Sequence, residues 1–232
     1  MYKHIALLVR KADMTHEEFV EHWQEEHTPI ASEIEGVVRY ATVLPVDPES
    51  SAFDGLAELY FEELDALHDA LGSEGSRDYD PAKDKAREAR EDVDSFLDVE
   101  RRPRFIGEEI VEHDETGGDT TGLYKHSAFL VREKGVGHDE FVERWAAEHA
   151  PLAREIPGVV RYARVVPTDS EASEFDGAAE LYFEELDALF DALGSESARH
   201  ASEGLYGPPI DWLHDGEREP TTVVGTERLV ER

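Results

Sequence analysis

The sequence predicts an α+β protein in which two tandem ferredoxin-like βαββαβ units close one α/β barrel within a single chain. Three observations carry this prediction. Shifting the 232-residue chain against itself by 122 positions aligns residues 3–73 with 125–195 without a gap, and 48 of these 71 positions are identical, so the chain is an internal duplication. Each copy reads strand, helix, strand, strand, helix, strand, the split order whose antiparallel sheet carries helices on one face only. The bare face of such a sheet is costly in water, and two copies remove it by laying their sheets face to face as a pseudo-dimer.

The elements follow in order. "HIALLVR" and "HSAFLVR" are short apolar runs with branched residues and open the copies as strands. Residues 16–34 form the first helix, because Phe19, Val20, Trp23, His27 and Ile30 recur at spacings of three and four, and Gly36 ends it. "VVRYATVLP" is the second strand and "FDGLAELYF" the third. "EELDALHDALGS" is the second helix, and "RFIGEEIVE" completes the copy as its fourth strand. The copies diverge between the second helix and the last strand, where "SRDYDPAKDKAREAREDVDSFLD" is answered by "SARHASEGLYGPPIDWLHD". The first copy is placed at 1–112 and the second at 125–232, with 113–124, rich in glycine and threonine, as the linker.

Alternation along each strand assigns the barrel lumen. Ala57, Leu59 and Phe61 are uniformly apolar and belong under the helices, which turns Leu56, Glu58 and Tyr60 inward. In the first strand Ile5, Leu7 and Val9 are assigned to the helix side, leaving His4, Ala6, Leu8 and Arg10 for the lumen. The second copy repeats the polar members as His126, Arg132, Glu180 and Tyr182. Glu58 is expected to meet Arg10 or His4, since an unpaired buried carboxylate would be protonated.

One motif stands in both first helices: "FVEHWQEEHTPIASEI" and "FVERWAAEHAPLAREI". Pro29 removes an amide hydrogen, so the helix is expected to bend or end its first segment beside His27, one turn after Trp23. A histidine on such a face either fills the core and caps a freed carbonyl, or serves a ligand. Both copies retain it while differing at 23 of 71 aligned positions. His22 falls on the solvent side by periodicity and becomes Arg144 in the second copy.

Composition narrows the function. The 55 acidic and 23 basic residues leave a net charge of −32, which repels nucleic acid and anionic lipid. The absence of cysteine excludes disulfide and thiolate chemistry. No apolar run approaches a membrane span, and "MYKHIALLVR" is charged too soon for a secretory signal, so the cytoplasm is the expected location. The histidines lack the close pairing of a metal site, and no metal or other cofactor is expected.

Taken in order, "LLVRK", "EEFVEHWQEEHTP", "GVVRYATVLP", "FDGLAELYF" and "DALGS", with their second-copy counterparts, resemble the EthD-like family of the dimeric α/β barrel superfamily. The resemblance spans nearly the whole chain. It implies a unit that normally pairs with a second chain and holds a small apolar or aromatic ligand between sheet and helices, here in a monomer with an intramolecular barrel or in a homodimer. The positions that match the family are Trp23, His27, Pro29, Asp54 and Gly55, then Trp145, His149, Pro151, Asp176 and Gly177. The function expected is a cofactor-free isomerase, dehydratase or oxygenase-like enzyme acting on a lactone, quinone or polyketide-like compound. His27 and His149 would move the proton, and Asp54, Asp176, Tyr40 or Tyr162 would orient the imidazole or the substrate. The candidate ligand-binding side chains are Trp23, Trp145, Tyr40, Tyr162, His4, His126, Arg10, Arg132, Glu58, Glu180, Tyr60 and Tyr182. A non-catalytic accessory or sequestering protein is the reading from another class, and a haem binder with a lone axial histidine is a third, which no motif supports.

An acid-rich surface with only six lysines suits concentrated salt, where screening acts over about 3 Å at 1 M. A halophilic source is therefore expected. The melting temperature should rise as KCl goes from about 0.1 to about 3 M, and equal values at both salts would overturn this reading.

Overall fold

The computed structural model describes residues 1–73, 81, 83–194 and 221–230. The first copy comprises β1 (Tyr2–Leu8), α1 (His16–Glu21), a π-helical turn (His22–His27), α2 (Thr28–Ser32), β2 (Val37–Pro45), β3 (Gly55–Phe61), α3 (Leu64–Leu71), α4 (Asp84–Phe96) and β4 (Arg104–Asp114). The second comprises β5 (Tyr124–Leu130), α5 (His138–Arg144), a π turn (Trp145–His149), α6 (Ala150–Ala153), β6 (Arg161–Pro167), β7 (Gly177–Phe183), α7 (Leu186–Gly194) and β8 (Thr221–Leu229). Local chemistry sets the ends. Thr15 and Glu18 form a reciprocal capping box at the start of α1, and Gly36 and Gly72 adopt the positive φ that ends helices.

The strands form one closed barrel in the order β1-β3-β2-β8-β5-β7-β6-β4. Each copy supplies four neighbours, and the copies join edge to edge where β2 meets β8 and β4 meets β6. Both seams place a glycine opposite a proline, Gly225 against Pro45 and Gly107 against Pro167. A Cβ at Gly107 would stand 2.6 Å from the Val166 carbonyl oxygen, and one at Gly225 2.5 Å from that of Leu44, so only glycine lets these strands close.

The lumen is packed. One part is apolar, with Ile5, Leu7, Leu56 and Phe105 meeting Phe129, Val165, Ala178 and Val223 of the other copy. The other part is ionic. Lys3 Nζ lies 2.6 Å from Glu180 and 2.9 Å from Glu58, while Lys125 Nζ lies 2.6 Å from Glu58, 3.1 Å from Glu180 and 3.0 Å from Glu227, all fully buried. Tyr60 donates to Glu58 at 3.2 Å and Tyr182 to Glu180 at 3.3 Å. Arg39 and Arg161 add charge over the rings of Tyr60 and Tyr182. Between the copies, Thr120 is buried and its hydroxyl donates to Glu227.

The first strand corrects the expectation. Directly opposed residues of an antiparallel pair share a face, and β1 pairs Lys3 with Tyr60, Ile5 with Glu58 and Leu7 with Leu56. Lys3, Ile5 and Leu7 therefore point inward, and His4, Ala6 and Leu8 lie under the helices; His126 follows them in the second copy. Both faces of β1 are mainly apolar, so alternation alone does not tell them apart. Glu58 accordingly meets Lys3 and Lys125, not Arg10 or His4. The helix α4 is a further addition to the expected order. The divergent second-copy segment "GLYGPPIDWLHD" lies outside the described residues.

Truncating one partner of a buried ion set strands the others. Lys125→Met should lower unfolding free energy by about 3–5 kcal/mol in a denaturant titration, with a loss below about 1 kcal/mol, the range of exposed ion pairs, showing that the lysine is not needed to balance the carboxylates.

Candidate functional site

A cavity of about 580 Å³ lies between the outer face of the first sheet and its helices. Its wall includes His4 and Leu8 from β1, Trp23 and His27 from the π turn, Tyr40 from β2, Leu59 from β3 and Phe96 from α4. Trp23 donates its indole N–H to the Tyr40 hydroxyl at 3.2 Å. Gly55 makes room for the indole, because a Cβ there would stand 2.5 Å from Trp23 Cζ3. The second copy repeats both devices with Trp145 donating to Tyr162 at 3.1 Å and with Gly177 beneath the ring.

The proline does not end the helix. The amide of Thr28 bonds back to the Trp23 carbonyl, five residues earlier, and the widened turn continues directly into α2. This has a consequence for His22. In an α-helix residues five apart diverge by about 140° at 3.6 residues per turn, yet here His22 and His27 reach the same carboxylate. His27 Nδ1 is 2.9 Å from Asp92 Oδ2, and His22 Nε2 is 2.9 Å from Asp92 Oδ1. The expected solvent placement of His22 is thus corrected: its side chain is 26% exposed and tied to α4. The hydrogen bond from His27, supported by His22, holds the Asp92 carboxyl below its ordinary range despite partial burial.

The structure brings together some of the expected site residues and separates others. His4, Trp23, His27 and Tyr40 share the cavity. Asp54 does not orient His27; it accepts from the Arg10 amide at 2.8 Å and pairs with the Arg10 guanidinium. Asp176 and Arg132 repeat that pair. Glu58, Glu180, Tyr60 and Tyr182 belong to the barrel interior and are fully buried there. Asp92, the partner of His27, was missed because it lies on α4. That helix was legible in Ala86, Ala89, Val93 and Phe96, which recur at three and four within a charged run and are buried.

The copies differ chemically at this site. Among the described residues His149 Nδ1 has no hydrogen-bond partner. Burial, helped by the Arg164 charge, lowers its pKa to about 4. Arg164, which stands where the first copy has Thr42, packs over the Trp145 ring at 5.2 Å. His126 is likewise lowered to about 4 by burial. Among the described residues no group of three His, Cys, Asp or Glu is placed to hold a metal ion, and no helix is long and apolar enough to cross a membrane.

A duplicated α/β barrel with a cavity between sheet and helices defines the class of protein. The chain belongs to the EthD family, whose domain model matches residues 11–100 and 133–203. No curated protein sequence matches it. Among solved structures, an anthrone oxidase-like protein superposes with a TM-score of 0.63 at 12% identity, over 100% of this chain and 94% of that one. A protein assigned as a monooxygenase in Lactobacillus acidophilus gives 0.52 at 12% identity, over 99% and 98%. A mutant chlorite dismutase from Candidatus Nitrospira defluvii gives 0.54 at 12%, over 97% and 90%. At these identities the likeness is one of fold.

The lowered histidines predict a pH dependence. With folded values of about 4 against the ordinary 6.5, the unfolded chain takes up protons first as pH falls. The stability that depends on neutral imidazoles is thus complete above about pH 6.5 and is lost toward pH 4. Replacing His126 and His149 by glutamine should flatten the slope of melting temperature against pH in that window. An unchanged slope would assign it to carboxylates instead.

Proposed function

We propose that this EthD protein binds a small apolar lactone, quinone or polyketide-like compound in the first-copy cavity and catalyses proton transfer on it, with His27 as the acid–base group. The observation that carries this is the His27–Asp92 pair, whose imidazole stands in the wall of the cavity beside Trp23 and Tyr40. The carboxylate accepts the Nδ1 proton, which fixes the tautomer and leaves the Nε2 lone pair as the base. Trp23 and Tyr40 hold a flat ligand against the sheet.

In the step proposed, Nε2 takes a proton from carbon beside a carbonyl, and the electron pair moves onto the carbonyl oxygen as an enolate. Return of the proton to another carbon completes an isomerisation, and its delivery to a departing hydroxyl releases water in a dehydration. With dioxygen as co-reactant, the same electron-rich carbon starts an oxygenase-like reaction. The names of the fold relatives, anthrone oxidase-like and monooxygenase, fit chemistry on an oxygenated ligand. The second copy, with Arg164 beside His149 and a neutral imidazole, is proposed to be structural.

Exchange of carbon-bound hydrogen for deuterium in a panel of lactones and quinones, followed by NMR, tests this. His27→Gln should lower exchange by about 10²–10⁴-fold with its melting temperature retained. His149→Gln should leave it unchanged. Undiminished exchange in folded His27→Gln would remove the histidine from the chemistry, whereas binding without exchange in the wild type would assign the protein to the accessory class.

A further inference from the structure

The cavity is not apolar throughout. Arg102 and Arg104, from the stretch "RRPR" that leads into β4, line it together with His4. In a chain of net charge −32 these two arginines and Arg90 bring three guanidiniums to the lining of one cavity. Arg102 is half-buried. Burial and the neighbouring Arg104 weigh on its charged form, ahead of the help it receives from Asp94, and lower its pKa to about 10. The carboxylates that also reach this cavity, Asp94, Glu100 and Glu174, stand on its exposed rim, where solvent screens them. Arg104 is held in place by donating to the carbonyls of Leu71 and Ser73.

His4 supplies the second, independent observation. It is 7% exposed, and among the described residues its Nδ1 has no hydrogen-bond partner. Burial and the charges of Arg104 and Arg102 keep it neutral. A buried polar atom without a partner costs free energy unless a ligand completes it. The second copy keeps the histidine as His126. With Gly107 aligned to Gly225, it has Pro220 and Thr222 where the first has Arg102 and Arg104. By this alignment the Arg102 and Arg104 guanidiniums belong to the copy in which Asp92 holds the histidine.

We infer that the ligand of the first-copy cavity is an organic anion: a flat apolar body carrying one ionised oxygen, a carboxylate, enolate or phenolate, received by Arg102 and Arg104 and hydrogen-bonded by His4. This rests on the cavity being the ligand site, as proposed above, and adds the polarity and charge of what enters it. The chemistry is consistent with proton transfer, since guanidiniums stabilise the enolate form of a substrate in the same way as they hold an anionic ligand.

Two probes of one shape test it: 2-naphthoate, ionised at neutral pH, and the uncharged 2-naphthamide, each titrated by tryptophan fluorescence at fixed ionic strength into the full chain. The wild type should bind naphthoate about 10-fold or more tightly than the amide, and Arg102→Gln should abolish that preference while leaving amide affinity and melting temperature unchanged. Arg102→Lys should recover part of it. His27→Gln should keep the preference, so loss of exchange with retained anion selectivity separates this inference from the role of His27. Equal affinity of the wild type for both probes, or an undiminished preference in folded Arg102→Gln, would overturn the anion site. Binding of neither probe would overturn the cavity as a ligand site, and the proposed function with it.

Discussion

The way the two sheets pair is constrained by the charges buried between them, which must cancel. Lys3, Lys125, Arg39 and Arg161 face Glu58, Glu180, Glu109 and Glu227, and each lysine bridges a glutamate of its own copy and one of the other. Burial opposes the charged form of Lys125, but the surrounding carboxylates raise its pKa well above the ordinary value. Each copy supplies two cations and two carboxylates, but Lys3–Glu180, Lys125–Glu58, Arg39–Glu227 and Arg161–Glu109 all run between the copies, so the ionic set rewards one pairing of the two sheets over others. Apolar packing would close a barrel too, and buried ion sets contribute less to stability than to choosing among arrangements. The glycine–proline seams add a steric condition that fits the same register.

That inner register determines the outer site. Side chains alternate, so His4 sits between the inward Lys3 and Ile5, and Leu59 between Glu58 and Tyr60. A slip of one residue would carry Lys3 into the cavity and His4 into the lumen, exchanging every face at once. The sheet wall of the cavity is therefore set by the barrel's register. The π turn then aims Trp23 and His27 at it, and Gly55 lets the indole lie on the start of β3. A proline that would break an α-helix is absorbed by a turn whose hydrogen bonds span five residues.

Much of the fold was legible because duplication and alternation are redundant signals: the repeat, the element order and the inward face of β3 each followed from spacing alone. The face of β1 was not, since Ile5, Leu7, Ala6 and Leu8 are apolar on both sides, and only the cross-strand register decides between them. Lys3 and Lys125 held the missing clue, two of six lysines at equivalent positions in a lysine-poor chain. Within the site, Trp23, His27 and Tyr40 were recognisable from their repetition in both copies. Asp92, Arg102 and Arg104 were not, because they occur once, in the segment where the copies diverge, and self-comparison is blind there. His22 was misplaced because α periodicity does not apply across a π turn.

The pattern of divergence between the copies follows from what each residue touches. In a symmetric dimer one gene supplies both halves, so any change appears twice. Fusion removes that constraint, but not evenly. Lys3 and Lys125, Glu58 and Glu180, Tyr60 and Tyr182, and Arg39 and Arg161 are identical pairs, and all belong to the shared lumen. Changing one of them would strand a charge belonging to the other copy. The residues that differ, Thr42 against Arg164, His22 against Arg144, and the Arg102 and Arg104 positions, lie on the helix side of the sheets or at the cavity mouth, and of these Arg164 also reaches across the seam to Glu112 on β4. The lumen couples the copies through buried charges contributed by both and resists single changes, whereas the outer layers meet at their edges, as where Glu174 of the second copy reaches the rim of the first-copy cavity. A tandem barrel can thus keep a symmetric interior while one outer face acquires a carboxylate beside its histidine and the other a guanidinium.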